Sequence, residues 1–181
     1  YSGTTEIVPT YIRETIKTNI VATSGVAVQS VLTSGTLGSN IQYLGGYNTS
    51  NDTKDGETFY DGLNGFGYGV NVDTKNYITL SDISVVRYYY GVYLTTSSNN
   101  TITTISNANN NTISGVRLSA SNNNTITTIS NANNNNSGVY LSASNNNTIT
   151  TISNANNNNS GVYLSASNNN TITTISNANN N

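Results

Sequence analysis

The chain has 181 residues and a formal net charge of −2, and only 8 % of its residues are charged. It contains no Cys, His, Met or Trp, which excludes thiol chemistry, soft-metal sites and any mechanism that needs an imidazole. Its six Lys and Arg residues form no cluster, so nucleic acid is not an expected partner.

The first third of the chain, residues 1–66, is predicted to be β-rich but irregular. The sequence TSG occurs at 23–25 and again at 33–35. This spacing loosely resembles the short Gly-punctuated repeats of autotransporter adhesin passenger domains. We expect irregular coils here, and the alternative for Glu6–Ile20 is a short helix that caps the coils.

An acidic segment at 48–64 closes this N-terminal region. Four of its carboxylates make a weak candidate Ca²⁺ site, because Ca²⁺ prefers oxygen ligands. The spacing does not match an EF-hand loop, since the twelfth position counted from Asn51 is Gly62. A solvated loop between coils is the favoured interpretation, and no catalytic residue is assigned. The four candidate ligands are Asp52, Asp55, Glu57 and Asp61.

From residue 67 onward the chain repeats itself. Gly91, Gly115, Gly138 and Gly161 begin successive copies that are 24, 23 and 23 residues apart, and a diverged copy begins at Gly69. Repeats of this length are typical of stacked units that bury their apolar faces against one another. We therefore expect a regular unit of about five coils over 67–181.

Within one copy the apolar residues predict three short strands. Asn-rich segments at 145–147 and 156–159 separate them and are typical of corners, because Asn tolerates left-handed backbone. Helix formers are nearly absent, so the predicted fold is an all-β parallel solenoid with three strands per coil and Asn ladders along its axis. The three expected inward faces are Val139/Leu141/Ala143, Ile149, and Ile152/Ala155.

The family signal lies in GYGVNVDTKNYITLSDIS from Gly67, in YGVYLTTSSNNTITTIS from Tyr90, and in the three later copies. These segments resemble the parallel β-helix repeats of the NosD-like and pectate-lyase-like superfamily, and the resemblance implies a right-handed β-helix. It implies no single function, because that superfamily includes lyases, hydrolases, tailspikes, adhesins and scaffolds. NosD-like proteins are often described as copper-handling, a role that does not carry over to a chain without His, Cys or Met.

One outward column of aromatic residues is a candidate binding surface. Exposed aromatic rows can bind sugars or partner surfaces. The competing interpretation is a stack with a cation–π contact that only stabilises the coils. The column comprises Tyr93, Arg117, Tyr140 and Tyr163.

Pairs of Thr residues flank one inward Ile in every regular copy. Stacking would place them in two columns, about 6.6 Å apart and repeated about every 4.8 Å. Such a flat array resembles the ice-binding face of β-solenoid antifreeze proteins, although Thr is also an ordinary outward residue of a strand. The pairs are Thr101/Thr103, Thr125/Thr127, Thr148/Thr150 and Thr171/Thr173.

The corners carry glycosylation sequons. Asn123, Asn146 and Asn169 each begin an Asn-x-Thr sequence without Pro. We expect these positions to be exposed enough for glycans in a host that glycosylates its surface proteins.

The predicted function is an extracellular, non-enzymatic scaffold that self-assembles into a filament, sheath or surface coat. No apolar stretch is long enough for a transmembrane helix, and the chain begins at Tyr1 without a signal-like run, as expected of a processed piece of an exported protein. The last copy reaches Asn181 unchanged, so we expect further repeats or pairing with another copy of the chain. The alternatives are a glycan-binding adhesin and an ice-binding protein. No cofactor is expected beyond the Ca²⁺ considered above.

Overall fold

The structure is a computed structural model that describes residues 10–11, 16–18, 27–31, 33–47, 53–54, 56–63, 66–133, 135–156 and 159–179. These residues form sixteen β-strands and no helix. The alternative of a capping helix over 6–20 is therefore wrong for the residues described there, because both segments are strands. The strands are β1 Thr10–Tyr11, β2 Ile16–Thr18, β3 Ala27–Ser30, β4 Ile41–Leu44, β5 Thr58–Asp61, β6 Tyr68–Asp73, β7 Ile78–Ser81, β8 Ile83–Val86, β9 Tyr90–Thr95, β10 Thr101–Asn107, β11 Ser114–Ser119, β12 Thr125–Asn131, β13 Ser137–Ser142, β14 Thr148–Asn154, β15 Ser160–Ser165 and β16 Thr171–Asn177.

Every strand pairs in parallel with the equivalent strand of a neighbouring coil. One sheet has six strands in the order β15-β13-β11-β9-β6-β3, and the other has ten strands along the path β1-β4-β7-β10-β12-β14-β16, with β2, β5 and β8 beside it. This arrangement confirms the predicted parallel solenoid. The pairing also crosses residue 66, since β3 pairs with β6 and β5 pairs with β8.

The predicted Ile columns are confirmed by the strand register. Ile102 lies opposite Ile126, and Ile126 lies opposite Ile149, so the interval between them is one coil. The second column consists of Ile105, Ile129 and Ile152. All six Ile residues of these two columns are buried. Ile172 and Ile175 continue the two columns and are partly buried against the same core.

The second and third sides of each coil belong to one sheet that bends at a corner. In the diverged copy that begins at Gly69, Asp82 separates β7 from β8 and has a left-handed φ of 57°. Both strands pair with β10, which passes the same corner without a break. Ile102 and Ile105 are both buried although they are three residues apart. A strand that alternates regularly cannot bury both residues, so the chain bends between them.

A column of glycines marks the start of the six-stranded sheet. A Cβ placed on Gly91 would lie 2.5 Å from the carbonyl oxygen of Gly115. A Cβ on Gly115 would similarly lie 2.8 Å from the carbonyl oxygen of Gly138. Successive coils approach so closely here that no side chain fits, which explains why Gly opens each copy.

The expectation that Ala143 faces inward is wrong. Its strand ends at Ser142, and Ala143 is exposed with a left-handed φ of 49°. In this conformation its N–H reaches the Ser165 carbonyl of the next coil at 2.9 Å. The left-handed backbone conformation costs an L-residue about 1–2 kcal/mol. Ala120 and Ala166 have the same conformation in the equivalent turns.

Candidate functional site

The strongest polar feature of the molecule is an internal ladder of asparagines that joins one coil to the next. Asn124 and Asn147 are almost completely buried. The Asn124 N–H donates to Asn147 Oδ1 at 2.9 Å, and the Asn147 N–H donates to Asn170 Oδ1 at 2.8 Å. Each side-chain amide also donates backward, as Asn147 Nδ2 does to the Ser121 carbonyl at 3.0 Å. The predicted Asn ladder is therefore confirmed.

A second ladder, of serines, was not predicted. The Ser121 N–H donates to Ser144 Oγ, and the Ser144 N–H donates to Ser167 Oγ, both at 3.0 Å. Each hydroxyl in turn donates to a carbonyl two residues earlier, as Ser144 does to Ser142. The signal was present in the sequence, because Ser precedes an Asn triplet in each of the last three copies, at 121–124, 144–147 and 167–170.

An outer asparagine ladder runs in the opposite direction. The Asn145 N–H donates to Asn122 Oδ1 of the preceding coil at 2.7 Å, and Asn168 donates to Asn145 in the same way. The backbone N–H donors of the inner ladder point forward along the chain, whereas the backbone N–H donors of the outer ladder point backward. Each coil therefore presents both donors and acceptors to each of its neighbours.

The four residues of the predicted aromatic column lie in register on the outer face of the six-stranded sheet. Arg117 pairs with Tyr93 on one side and with Tyr140 on the other, and Tyr140 pairs with Tyr163. The guanidinium carbon lies 4.4 Å from the ring centre of Tyr140 and 5.9 Å from that of Tyr93. Arg117 also donates to the hydroxyl of Tyr90 at 2.9 Å.

The rings of this column cover one another. The ring centres of Tyr90 and Tyr93 are 5.0 Å apart, and those of Tyr140 and Tyr163 are 4.9 Å apart. A sugar that stacks on an aromatic ring needs an open ring face, and the neighbouring ring covers one face of each of these tyrosines. This geometry favours a stabilising stack, and sugar binding by the column stays a prediction.

The acidic segment is only partly described, because Asp52 and Asp55 lie outside the described residues. The other two candidate Ca²⁺ ligands are engaged elsewhere. Glu57 Oε1 accepts a hydrogen bond from Ser84 Oγ at 2.9 Å. Both oxygens of Asp61 accept hydrogen bonds from Arg87. The Ca²⁺ site stays a prediction.

The Asp61–Arg87 ion pair lies in a surface groove that the sequence did not reveal. Burial on its own would raise the pKa of Asp61, but the hydrogen bonds from Arg87 and from the Leu63 N–H, with the attraction of the guanidinium, outweigh it and lower that pKa. The partners are 26 residues apart in an irregular part of the chain, so no repeat pattern connects them. The groove has a volume of about 430 Å³ and is lined by Phe59, Asp61, Val86, Arg87, Asn107, Asn109 and Asn110.

The Thr pairs occupy the outer face of the bent sheet, and their two members are placed differently. The first members form one column in strand register, which consists of Thr101, Thr125, Thr148 and Thr171. The second members lie at the bend between the two buried Ile columns, where the offset of one coil is the same before and after them, as Ile102 opposite Ile126 and Thr104 opposite Thr128 show. These second members are Thr103, Thr127, Thr150 and Thr173.

The strand register supports the first Thr column, and the flat array of two columns stays a prediction. Ile102 and Ile105 are both buried, and the chain must bend between them to achieve this, so Thr103 lies next to the corner. The same bend recurs at Thr127, Thr150 and Thr173, because the strands stack in register. Ice binding stays a prediction.

The three sequon asparagines, Asn123, Asn146 and Asn169, are exposed corner residues. Their φ values are 56°, 56° and 54°, the left-handed region that Asn tolerates. Their glycosylation stays a prediction.

Parallel strands stacked coil upon coil around one aliphatic interior define a parallel β-helix protein. A family model described as "Periplasmic copper-binding protein (NosD)" matches residues 10–181. The chain therefore belongs to the NosD family. Comparisons with curated proteins and with solved structures found no match. The family description places these proteins in the periplasm, which agrees with a protein exported from the cytoplasm.

The residues of this chain do not fit the copper site that the family description names. Copper in proteins is bound mainly by His, Cys and Met, and the chain contains none of them. Among the described residues, no three of Asp, Glu, His or Cys lie together in a way that could hold a metal ion. The described residues also include no helix with the length and apolar character needed to cross a membrane.

Replacing Asn147 with Ala tests the internal ladder. The change leaves the Asn124 N–H and the Ser121 carbonyl without their partners inside the protein, at roughly 1–3 kcal/mol for each buried group. We expect the free energy of unfolding in urea to fall by about 2–6 kcal/mol, the sum for the two groups. The control is Asn145→Ala, which removes an equivalent ladder residue at the surface, where water can replace it. Equal losses in the two variants would contradict the importance of the buried ladder.

The lowered pKa of Asp61 predicts a pH-dependent contribution to stability. Because the carboxylate binds its proton less readily in the folded state, the ion pair stabilises the protein above the usual Asp pKa and is lost as pH falls through the lowered value. We expect Asp61→Asn to lower the unfolding free energy at about pH 7. We expect this difference from the parent protein to shrink as the pH falls through the lowered pKa of Asp61. Urea titrations across this range would refute the role of the ion pair if the two proteins differed equally at every pH.

Proposed function

We propose that the protein is an extracellular structural scaffold, and not an enzyme, that self-assembles through its β-coils into a filament, sheath or surface coat. The observation that carries this proposal is the repetition of one set of contacts from coil to coil. Asn168 donates to Asn145 at the same 2.7 Å at which Asn145 donates to Asn122. A surface that pairs with its own copy within one chain can pair with that copy in another chain through the same contacts.

The distribution of charge supports the same proposal. Residues 118–181 carry no charged side chain. Proteins that avoid edge-to-edge association commonly place Lys or other charges on their exposed strands. The coils within residues 118–181 lack that protection, so like coils meet there without electrostatic repulsion.

Apolar residues of the coil that contains β15 supply a driving force for stacking against a further coil. Leu164 is 39 % exposed, whereas Leu141, its equivalent one coil earlier, is fully buried. An added coil would cover Leu164 as β15 covers Leu141. Burying a Leu side chain completely contributes about 1.5–3 kcal/mol, and Ile172 and Ile175 would add to this.

A charge placed at Leu164 tests assembly. We expect the 181-residue chain to form filaments in electron micrographs whose fibre diffraction shows a repeat of about 4.8 Å along the axis. Leu164→Lys should abolish them, because stacking would bury the ammonium group. The matched control is Tyr163→Lys, which adds the same charge on the outward face and should leave assembly intact. A chain that stays monomeric in sedimentation at every concentration, or two variants that behave alike, would refute the proposal.

Glycan binding is a second candidate function, and the Asp61–Arg87 groove favours it. The two charges neutralise each other, so the groove selects neither anions nor cations. Asn107 and Asn109 add amide donors and acceptors, and Phe59 adds an apolar ring. This combination suits a neutral oligosaccharide, whose hydroxyls both donate and accept. The volume of about 430 Å³ lies within the usual range for small-molecule sites.

Calorimetric titration with cellotetraose, chitotetraose, maltotetraose and laminaritetraose tests this second function. We expect at least one of them to bind. Asn109→Ala should then weaken binding roughly five- to tenfold, as one lost hydrogen bond of about 1–1.4 kcal/mol predicts. Asn133→Ala is the control, because Asn133 has the same place one coil further on and lies outside the groove. No binding by any of the four sugars, or equal weakening by both variants, would exclude this site.

A further inference from the structure

Two tyrosines on successive coils are positioned for covalent coupling. Tyr140 on β13 and Tyr163 on β15 are direct partners in the parallel register. Their ring centres are 4.9 Å apart and the ring planes are tilted by 47°. Tyr163 is 46 % exposed, so its ring has room to rotate until the carbons beside the two hydroxyls face each other.

The amino-acid composition makes tyrosine the main target of oxidants in this chain. Cys and Met are the side chains that oxidants ordinarily attack first, and Trp and His are the other readily oxidised residues. The chain contains none of these four, but it has 13 Tyr. A one-electron oxidant that reaches this protein therefore acts on phenol rings, and an exposed ring reacts more readily than a buried one.

We propose that Tyr140 and Tyr163 form a dityrosine cross-link between neighbouring coils when the protein meets hydrogen peroxide and a peroxidase. Each phenol loses one electron and its hydroxyl proton, which gives two phenoxyl radicals. The radicals join through a carbon–carbon bond between the ring positions beside the hydroxyls. Each ring then moves the hydrogen of that carbon to its oxygen, which restores both hydroxyls. The two electrons and two protons released reduce one hydrogen peroxide to two waters.

Other tyrosine contacts on this face are less suited to the reaction. Tyr89 meets Tyr90 edge to face, with an angle of 74° between the rings, and this keeps the reactive carbons apart. Tyr90 and Tyr93 are closer to parallel, but both rings are half-buried and Arg117 holds the Tyr90 hydroxyl by a hydrogen bond. The exposed Tyr163 is oxidised first, and Tyr140 is the ring in contact with it.

The cross-link would join two coils that only non-covalent contacts otherwise hold together. It would close a loop of 23 residues, the interval between the two tyrosines, and so restrict opening of the coil that contains Tyr163. The reaction takes place within one chain and does not depend on the proposed assembly. It adds a covalent means of stabilisation to a chain that has no cysteine for disulfides.

Oxidation of the dilute, monomeric 181-residue chain with peroxidase and hydrogen peroxide tests the proposal. We expect dityrosine fluorescence, a monomer that has lost the mass of two hydrogens, and a linked peptide pair containing Tyr140 and Tyr163. Tyr163→Phe, which keeps the ring stack, should lower the monomeric yield several-fold. Tyr77→Phe, a half-buried tyrosine outside the column, should leave it unchanged.

Three results would overturn the inference. They are an unchanged yield in Tyr163→Phe, linked peptides that come from other tyrosines, and cross-links found only between chains. The expected product is a monomer that has lost the mass of two hydrogens, so the test does not depend on filament formation. A failure of this reaction is thus distinguishable from a failure of the proposed scaffold function.

Discussion

The structure depends on the pairing of each coil with the coil one repeat away. A single coil cannot supply hydrogen-bond partners for its own buried polar groups. The buried side-chain amide of Asn147 finds its partners in Ser121, Asn124 and Asn170, all in neighbouring coils. The apolar residues obey the same constraint, since Ile149 is covered by Ile126 and Ile172. A buried polar group without a partner costs about 1–3 kcal/mol, so a coil that leaves the stack loses its hydrogen bonds and its apolar contacts together.

This constraint explains the near identity of the repeats. A residue in a ladder meets its own kind above and below, so it must be able to pair with itself. Asn and Ser have both a donor and an acceptor and satisfy this condition, whereas Lys or Asp would repel its copies about 4.8 Å away. The low content of charged residues is therefore a consequence of stacking. The same reasoning explains the glycines, because the carbonyl of Gly138 occupies the space where a Cβ of Gly115 would lie.

The sequence predicted those parts of the fold that the repeat encodes. The positions of Ile149 and Ile152 repeat in every regular copy, so their columns followed from spacing alone. The inward placement of Ala143 was wrong because the alternation of a strand was extended one residue past its end at Ser142. The Asp61–Arg87 pair escaped prediction because it joins two irregular coils, where no second copy exists to reveal which residues are neighbours.

The contrast between regular and irregular coils separates two kinds of function. A surface on which every position recurs one coil later offers a small ligand many equivalent sites, and is best suited to pairing with another copy of itself. Selective recognition needs a local departure from the repeat. The described part of the chain shows such a departure where β5 and β8 meet β10, with a charge pair, an aromatic ring and asparagine amides around one groove. Self-assembly and ligand binding would therefore use different coils of the same β-helix, and substitutions that abolish one need not disturb the other.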